Sequence, residues 1–139
     1  MKKYTEFFLL ILFLFYIIGC SDSSQDNSPV NINGTWSGEG KVNESTSTTI
    51  ILTLIDSAGK ITGTAHANIR FATVQPKDTT YLLTGTLVQH TLILYAKDST
   101  HDATFFNGTV SSDSKSITGT VNMTAMKQEL SCKMTFDKQ

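Results

Sequence analysis

The sequence predicts an all-β domain: eight antiparallel strands in up-and-down order, closed into a small barrel. Three observations predict it. First, a phrase of an apolar residue followed by Thr-Gly-Thr recurs at Ile61-Thr62-Gly63-Thr64, Leu83-Thr84-Gly85-Thr86 and Ile117-Thr118-Gly119-Thr120, with shorter forms at Asn33-Gly34-Thr35 and Asn107-Gly108-Thr109. Second, two copies follow directly on turn signals, Asp56–Lys60 and Ser111–Ser116, as in a meander of hairpins. Third, Thr, Ser and Asn are abundant and the core-type residues are β-branched or aromatic, which favours strands and polar turns over helices. Closure removes the two sheet edges that would otherwise invite aggregation. An open two-sheet β-sandwich of the same strands is the alternative.

The chain begins with a leader, residues 1–19. Lys2 and Lys3 precede an unbroken apolar run, Phe7–Ile18, and Gly19-Cys20 ends it. A basic start, an apolar segment and a small residue at the cut describe a secretory signal peptide. The run is about a dozen residues, short of the roughly 20 that span a bilayer as a helix. Ile17-Ile18-Gly19-Cys20 resembles the lipobox of bacterial lipoproteins. That resemblance implies that the Cys20 thiol is alkylated with diacylglycerol, the leader is cut just before it, and the new amine is acylated. Two or three acyl chains such as palmitate would hold the protein on a membrane, since one alone is marginal. Ser21, in place of the Asp that retains proteobacterial lipoproteins in the inner membrane, implies the outer membrane. Asp22 and Asp26 fit, as the alternative, an acidic surface-export signal of the kind seen in Bacteroidetes lipoproteins. Residues 20–31 then read as a lipidated flexible tether: polar, with Pro29 and no apolar period.

Residues 32–139 are the barrel domain, and alternation assigns its strands. The first, about Asn33–Val42, places Trp36, Gly38, Gly40 and Val42 on one face. The second, about Thr48–Ile55, is apolar on both faces, with Ile50, Leu52 and Leu54 inside. The third, about Ile61–Arg70, turns Ile61, Gly63, Ala65, Ala67 and Ile69 inward. A long loop, Phe71–Thr80, contains Pro76. Tyr81–Val88 and Thr91–Ala96 flank a tight Gln89-His90 turn. In Ala103–Val110 either Phe105 or Phe106 can face inward, and Phe106 is favoured because it keeps Gly108 and Val110 inside with it. Ile117–Ala125 and Leu130–Phe136 complete the set, with Cys132 inward. The one stretch with helical character is Ala125–Glu129.

Gly34-Thr35-Trp36 opening the first strand of such a meander resembles the calycin superfamily of lipocalins and avidins. Ile61-Thr62-Gly63-Thr64 and Tyr81-Leu82-Leu83-Thr84-Gly85 extend the likeness toward avidins. The resemblance implies the barrel shape, with Trp36 as a plug at one end, and does not carry over a ligand. Avidins stack biotin between several tryptophans, and this chain has one. Lipocalins pack an arginine from the end of the barrel over the first-strand Trp, and the single arginine here is Arg70.

The chemistry expected of the chain is narrow. A formal net charge of −1 over 139 residues offers no basic face for nucleic acid. His66, His90 and His101 fall on an outer strand face, a hairpin tip and a loop, without metal-ligand spacing. Asp98, His101 and Asp102 share one loop and read as solvated. There is no Gly-x-Ser-x-Gly elbow and no Gly-rich phosphate loop opening a helix. Cys132, set between Leu130 and Met134, reads as an inert core thiol. No catalytic residue, metal or cofactor is therefore expected. The expected function is a membrane-anchored envelope lipoprotein whose barrel acts as an interaction or structural module, its loops contacting a protein partner. The alternative is a carrier of a small apolar ligand inside the barrel, touching Trp36, Tyr81, Ala65, Ala67 and Phe106.

Overall fold

A computed structural model describes residues 29–97 and 102–139. The leader, Cys20, the tether through residue 28 and the loop 98–101 lie outside the described residues, as does the side chain of Asp102. The expected acylation site and the Asp98–His101–Asp102 cluster therefore have no structural account.

Eight strands follow one another: β1 Gly34–Asn43, β2 Thr46–Ser57, β3 Lys60–Phe71, β4 Lys77–Val88, β5 Thr91–Lys97, β6 Asp102–Val110, β7 Ser116–Ala125 and β8 Gln128–Lys138. Each pairs antiparallel with the next, and β8 returns to β1 from Trp36↔Lys138 to Glu39↔Thr135. That last ladder closes the barrel and excludes the open sandwich. Alternation works as the sequence implies. Ile50, Leu52 and Leu54 are buried, whereas Ile51 and Ile55 on the opposite face of β2 are exposed. Among the described residues the buried core runs from Ile32 to Phe136, with Val30 packed against it.

Three local expectations are corrected. The Phe71–Thr80 loop is shorter, because β4 already begins at Lys77, where Ile69↔Lys77 extends the ladder with β3. Proline lacks an N–H, so strand pairing starts just after Pro76. Ala125–Glu129 is a two-residue turn and not helical: Met126 and Lys127 have φ of 52° and 64°, and Ala125 pairs with Gln128. Both central residues in the left-handed region make the hairpin turn whose twist matches the flanking strands. Finally, Phe105 and Phe106 are both buried. The register runs from Leu94↔Phe106 to Tyr95↔Thr104, so Phe105 is the extra residue of a β-bulge.

The two ends of the barrel differ. At one end all neighbouring strands pair up to their hairpins, and the recurring glycines lie in this half. Gly108 and Gly119 face each other across β6–β7, and a Cβ on Gly119 would lie 2.6 Å from the Gly108 Cα. The repeated Thr-Gly-Thr phrase is thus the device that lets the strands coil tightly. At the other end three ladders stop short: β1–β8 at Glu39↔Thr135, β4–β5 at Leu83↔Ala96 and β6–β7 at Phe106↔Val121. The wall splays there into a mouth.

Trp36 plugs the closed end. It is fully buried, and its indole N–H donates to the Ile32 carbonyl at 2.9 Å. Lys138 Nζ stands over the ring, 5.2 Å from its centroid, and donates to the Asn31 carbonyl at 3.1 Å. A lysine thus covers the tryptophan from the last strand. Asn31 N–H donates to Ser114 Oγ, and Asp56 N–H to Asn33 Oδ1, so the incoming chain is strapped across this end.

Candidate functional site

Inward side chains fill the closed half of the barrel. Phe106 packs edge-on against Phe136 at 5.8 Å, with Leu92, Leu94, Ile61 and Trp36 also fully or almost fully buried. Space opens at the mouth, where β5 is 7 residues long against 12 for β4. The short strand leaves β4 without a β5 partner from Lys77 to Leu82. A cleft of about 940 Å³ results, bounded by β4, the end of the β5–β6 hairpin, β7 and β8.

Tyr81, Leu82, Phe105, Met123 and Leu130 supply its apolar surface. Tyr81 and Phe105 stack in a tilted pair with centroids 5.2 Å apart. The Tyr81 hydroxyl donates to the Thr124 carbonyl at 3.4 Å, reaching across from β4 to β7. Burial pushes the Tyr81 phenol above its ordinary pKa, and the Thr124 bond only partly offsets this. The charged residues of the lining, Lys97 and Glu129, are exposed and sit on outward strand positions at the rim.

Two hydroxyls on the inner wall are unusual. Among the described residues, Thr48 Oγ1 and Thr79 Oγ1 are buried and have no hydrogen-bond partner. Thr79 lies opposite Ala67 and Thr48 opposite Ile69, so both face inward on adjoining rows of the β2–β3–β4 wall. Leaving a buried hydroxyl unpaired costs about 1–3 kcal/mol.

Of the five side chains expected to touch a ligand, Tyr81 lines the cleft, whereas Ala65 and Ala67 are fully buried in the neighbouring wall and do not line it. Ala65 stands opposite Tyr81 in the β3–β4 ladder, and Ala67 stands one row further out. Phe106 belongs to the packed core beneath, and Trp36 belongs to the opposite end. The cleft instead uses Phe105, Thr79, Met123 and Leu130, none of which the sequence marked as contacts. The adjacent Phe105-Phe106 pair, which breaks alternation, was the one available signal of the bulge.

A second depression of about 590 Å³ lies at the β1–β2 hairpin, with Glu39, Lys41, Glu44 and Arg70 among its walls. It is open and charged. Among the described residues no group of three His, Cys, Asp or Glu side chains could hold a metal. His66 lies outside the barrel with Thr80 Oγ1 at 3.1 Å and Asp78 at 3.7 Å, both contacts exposed. His90 sits at its hairpin with Nδ1 3.0 Å from the Val110 carbonyl. Cys132 is buried, and burial raises its thiol pKa, which leaves little thiolate to act as nucleophile.

No family model matches this chain, and no curated protein matches it either. The chemical reading rests on the barrel and its cleft alone.

Proposed function

We propose that this protein is an envelope lipoprotein, held to the outer membrane through acylated Cys20, whose non-catalytic barrel is an interaction module working through its mouth. The supporting observation is the polarity of the barrel. The chain arrives at the closed end, where Ile32 is fully buried and Asn31 is bonded to Ser114 and Lys138. The cleft opens at the other end. A 12-residue strand spans about 40 Å, and a tilt of roughly 40° brings the barrel height to about 30 Å. The tether that precedes this strapped segment, Ser21–Pro29, averages roughly 16 Å end to end as a coil. A membrane-held barrel therefore turns its strapped end toward the bilayer and its mouth toward the periplasm or the cell exterior.

The test has two parts. Metabolic labelling with an alkynyl fatty acid should mark the wild type in the membrane fraction and not Cys20→Ala, which should lose the anchor. A photo-crosslinking residue at Leu82, at the mouth, should capture partners in the host, and one at Val88, at the closed end, should not. Equal labelling of Cys20→Ala overturns the anchor, and capture through Val88 alone overturns the orientation. The cleft also favours a second reading, a carrier for a small apolar molecule, since its volume matches sites for such ligands.

A further inference from the structure

We infer that the mouth cleft binds a neutral, largely apolar small molecule through one hydrogen-bonding group, which is seated on Thr79 Oγ1. This deepens the carrier reading and does not depend on the lipid anchor. Three independent observations lead to it.

The first is shape. Phe106, Phe136 and their neighbours fill the closed half, so a ligand has no room deep in the barrel. The open space is the cleft, walled by the Tyr81–Phe105 pair on one side and by Met123 and Leu130 on the other. Rings on one wall and flexible side chains on the other suit a flat, ring-containing body, since methionine adapts to irregular shapes.

The second is the unpaired hydroxyl. Thr79 lines this cleft, and its Oγ1 is buried in the wall with no partner among the described residues. Its neighbour across the β3–β4 ladder is Ala67, whose methyl offers it nothing. Thr48 Oγ1, the other unpaired hydroxyl of this wall, lines the separate depression at the β1–β2 hairpin and takes no part in the cleft. Buried polar groups in proteins are nearly always satisfied, so an orphan just behind the wall of a cleft, one side-chain rotation from it, points to a bound polar atom.

The third is charge. Lys97 and Glu129 are exposed at the rim and of opposite sign, and among the described residues no ionisable group except the Tyr81 phenol faces inward along the cleft. An anionic or cationic headgroup would lose its hydration against this wall with no inward counter-charge among the described residues to meet it. A hydroxyl, carbonyl or amine N–H has a much smaller penalty, which one hydrogen bond offsets.

The test uses the barrel from Ser21 onward and two dyes that share an anilinonaphthalene skeleton. N-phenyl-1-naphthylamine is neutral and carries one N–H. Its sulfonated relative, 8-anilinonaphthalene-1-sulfonate, adds a charge. The neutral dye should bind one per barrel with enhanced fluorescence, at least tenfold more tightly than the sulfonate. Thr79→Val should weaken the neutral dye about three- to tenfold, consistent with the loss of one hydrogen bond, while the free protein melts no lower than wild type. Thr79→Ser, which keeps the hydroxyl, should bind within twofold of wild type. Absence of one-to-one binding, equal affinity for the two dyes, or unchanged affinity in a folded Thr79→Val overturns the inference. If Thr79→Val does not fold, the ratio of the two dyes on the wild type decides alone. Partner capture through Leu82 by a barrel that binds no dye would leave the interaction reading standing and remove this one.

Discussion

Replacing Gly63 with alanine tests the reason for the Thr-Gly-Thr phrase. A Cβ at Gly63 would run into the carbonyl oxygen of Thr53 on β2, with Leu54 Cδ2 at 3.0 Å and the Thr53 carbonyl carbon at 3.1 Å. The obstacle is backbone held in the β2–β3 ladder, so relief requires moving a strand. Overpacking of this kind costs about 1–3 kcal/mol. Restricting the unfolded chain by Gly→Ala returns roughly 0.5–1 kcal/mol. The net is a loss of about 1–2 kcal/mol, or roughly 5–15 °C in Tm for a domain of this size. Gly40→Ala is the control. Its Cβ would meet Met134 Cε at 2.6 Å and Cys132 Sγ at 2.9 Å, both side-chain ends, one of them flexible. That variant should melt within about 4 °C of wild type. Circular dichroism follows the sheet, and Trp36, the single tryptophan, reports the closed end by fluorescence. Equal Tm losses in the two variants, or none at Gly63→Ala, would refute the account of strand coiling.

Other outcomes follow from the same geometry. Trp36→Phe removes the donor to the buried Ile32 carbonyl and the surface under Lys138, and should cost about 1–3 kcal/mol by urea unfolding. Cys132 should resist iodoacetamide in the folded protein and react once it unfolds. Its thiol pKa is raised by burial, so the folded state holds the proton more tightly than the unfolded state. The associated stability is complete below the unfolded thiol pKa, about 8.5, and is lost as pH rises through the folded value. Cys132→Ala should flatten that alkaline decline in a pH series of melts. Asp113 behaves oppositely. The Ser111 hydroxyl and then the Lys115 N–H hold its carboxyl below the usual range, so its contribution is present above the unfolded pKa and fades as pH falls through the folded one. Asp113→Asn should weaken the acid dependence measured on the β6–β7 turn by amide exchange.

The sequence alone determined the eight strands and their up-and-down order, because both signals are local; closure into a barrel rather than an open sandwich was decided by the β1–β8 ladder. Period-two alternation tells each strand which face is buried, and Asp56–Lys60, Gln89-His90 and Ser111–Ser116 mark where the chain reverses. The inward glycines were legible for the same reason, since Gly63, Gly85 and Gly119 share the apolar parity of their strands. Adjacent pairing of sequential strands then leaves few topologies. The mouth was not legible. Where a ladder stops depends on the relative lengths and register of strands far apart in sequence: β5 against β4, and β8 returning to β1 across nearly the whole domain. Phe105 joined the cleft through a bulge that is defined only by its partner strand. Thr48 and Thr79 read as two threonines among many until the fold buried their hydroxyls without partners. The sequence set which side chains point inward; tertiary structure decided which of them pack against one another and which are left facing open space.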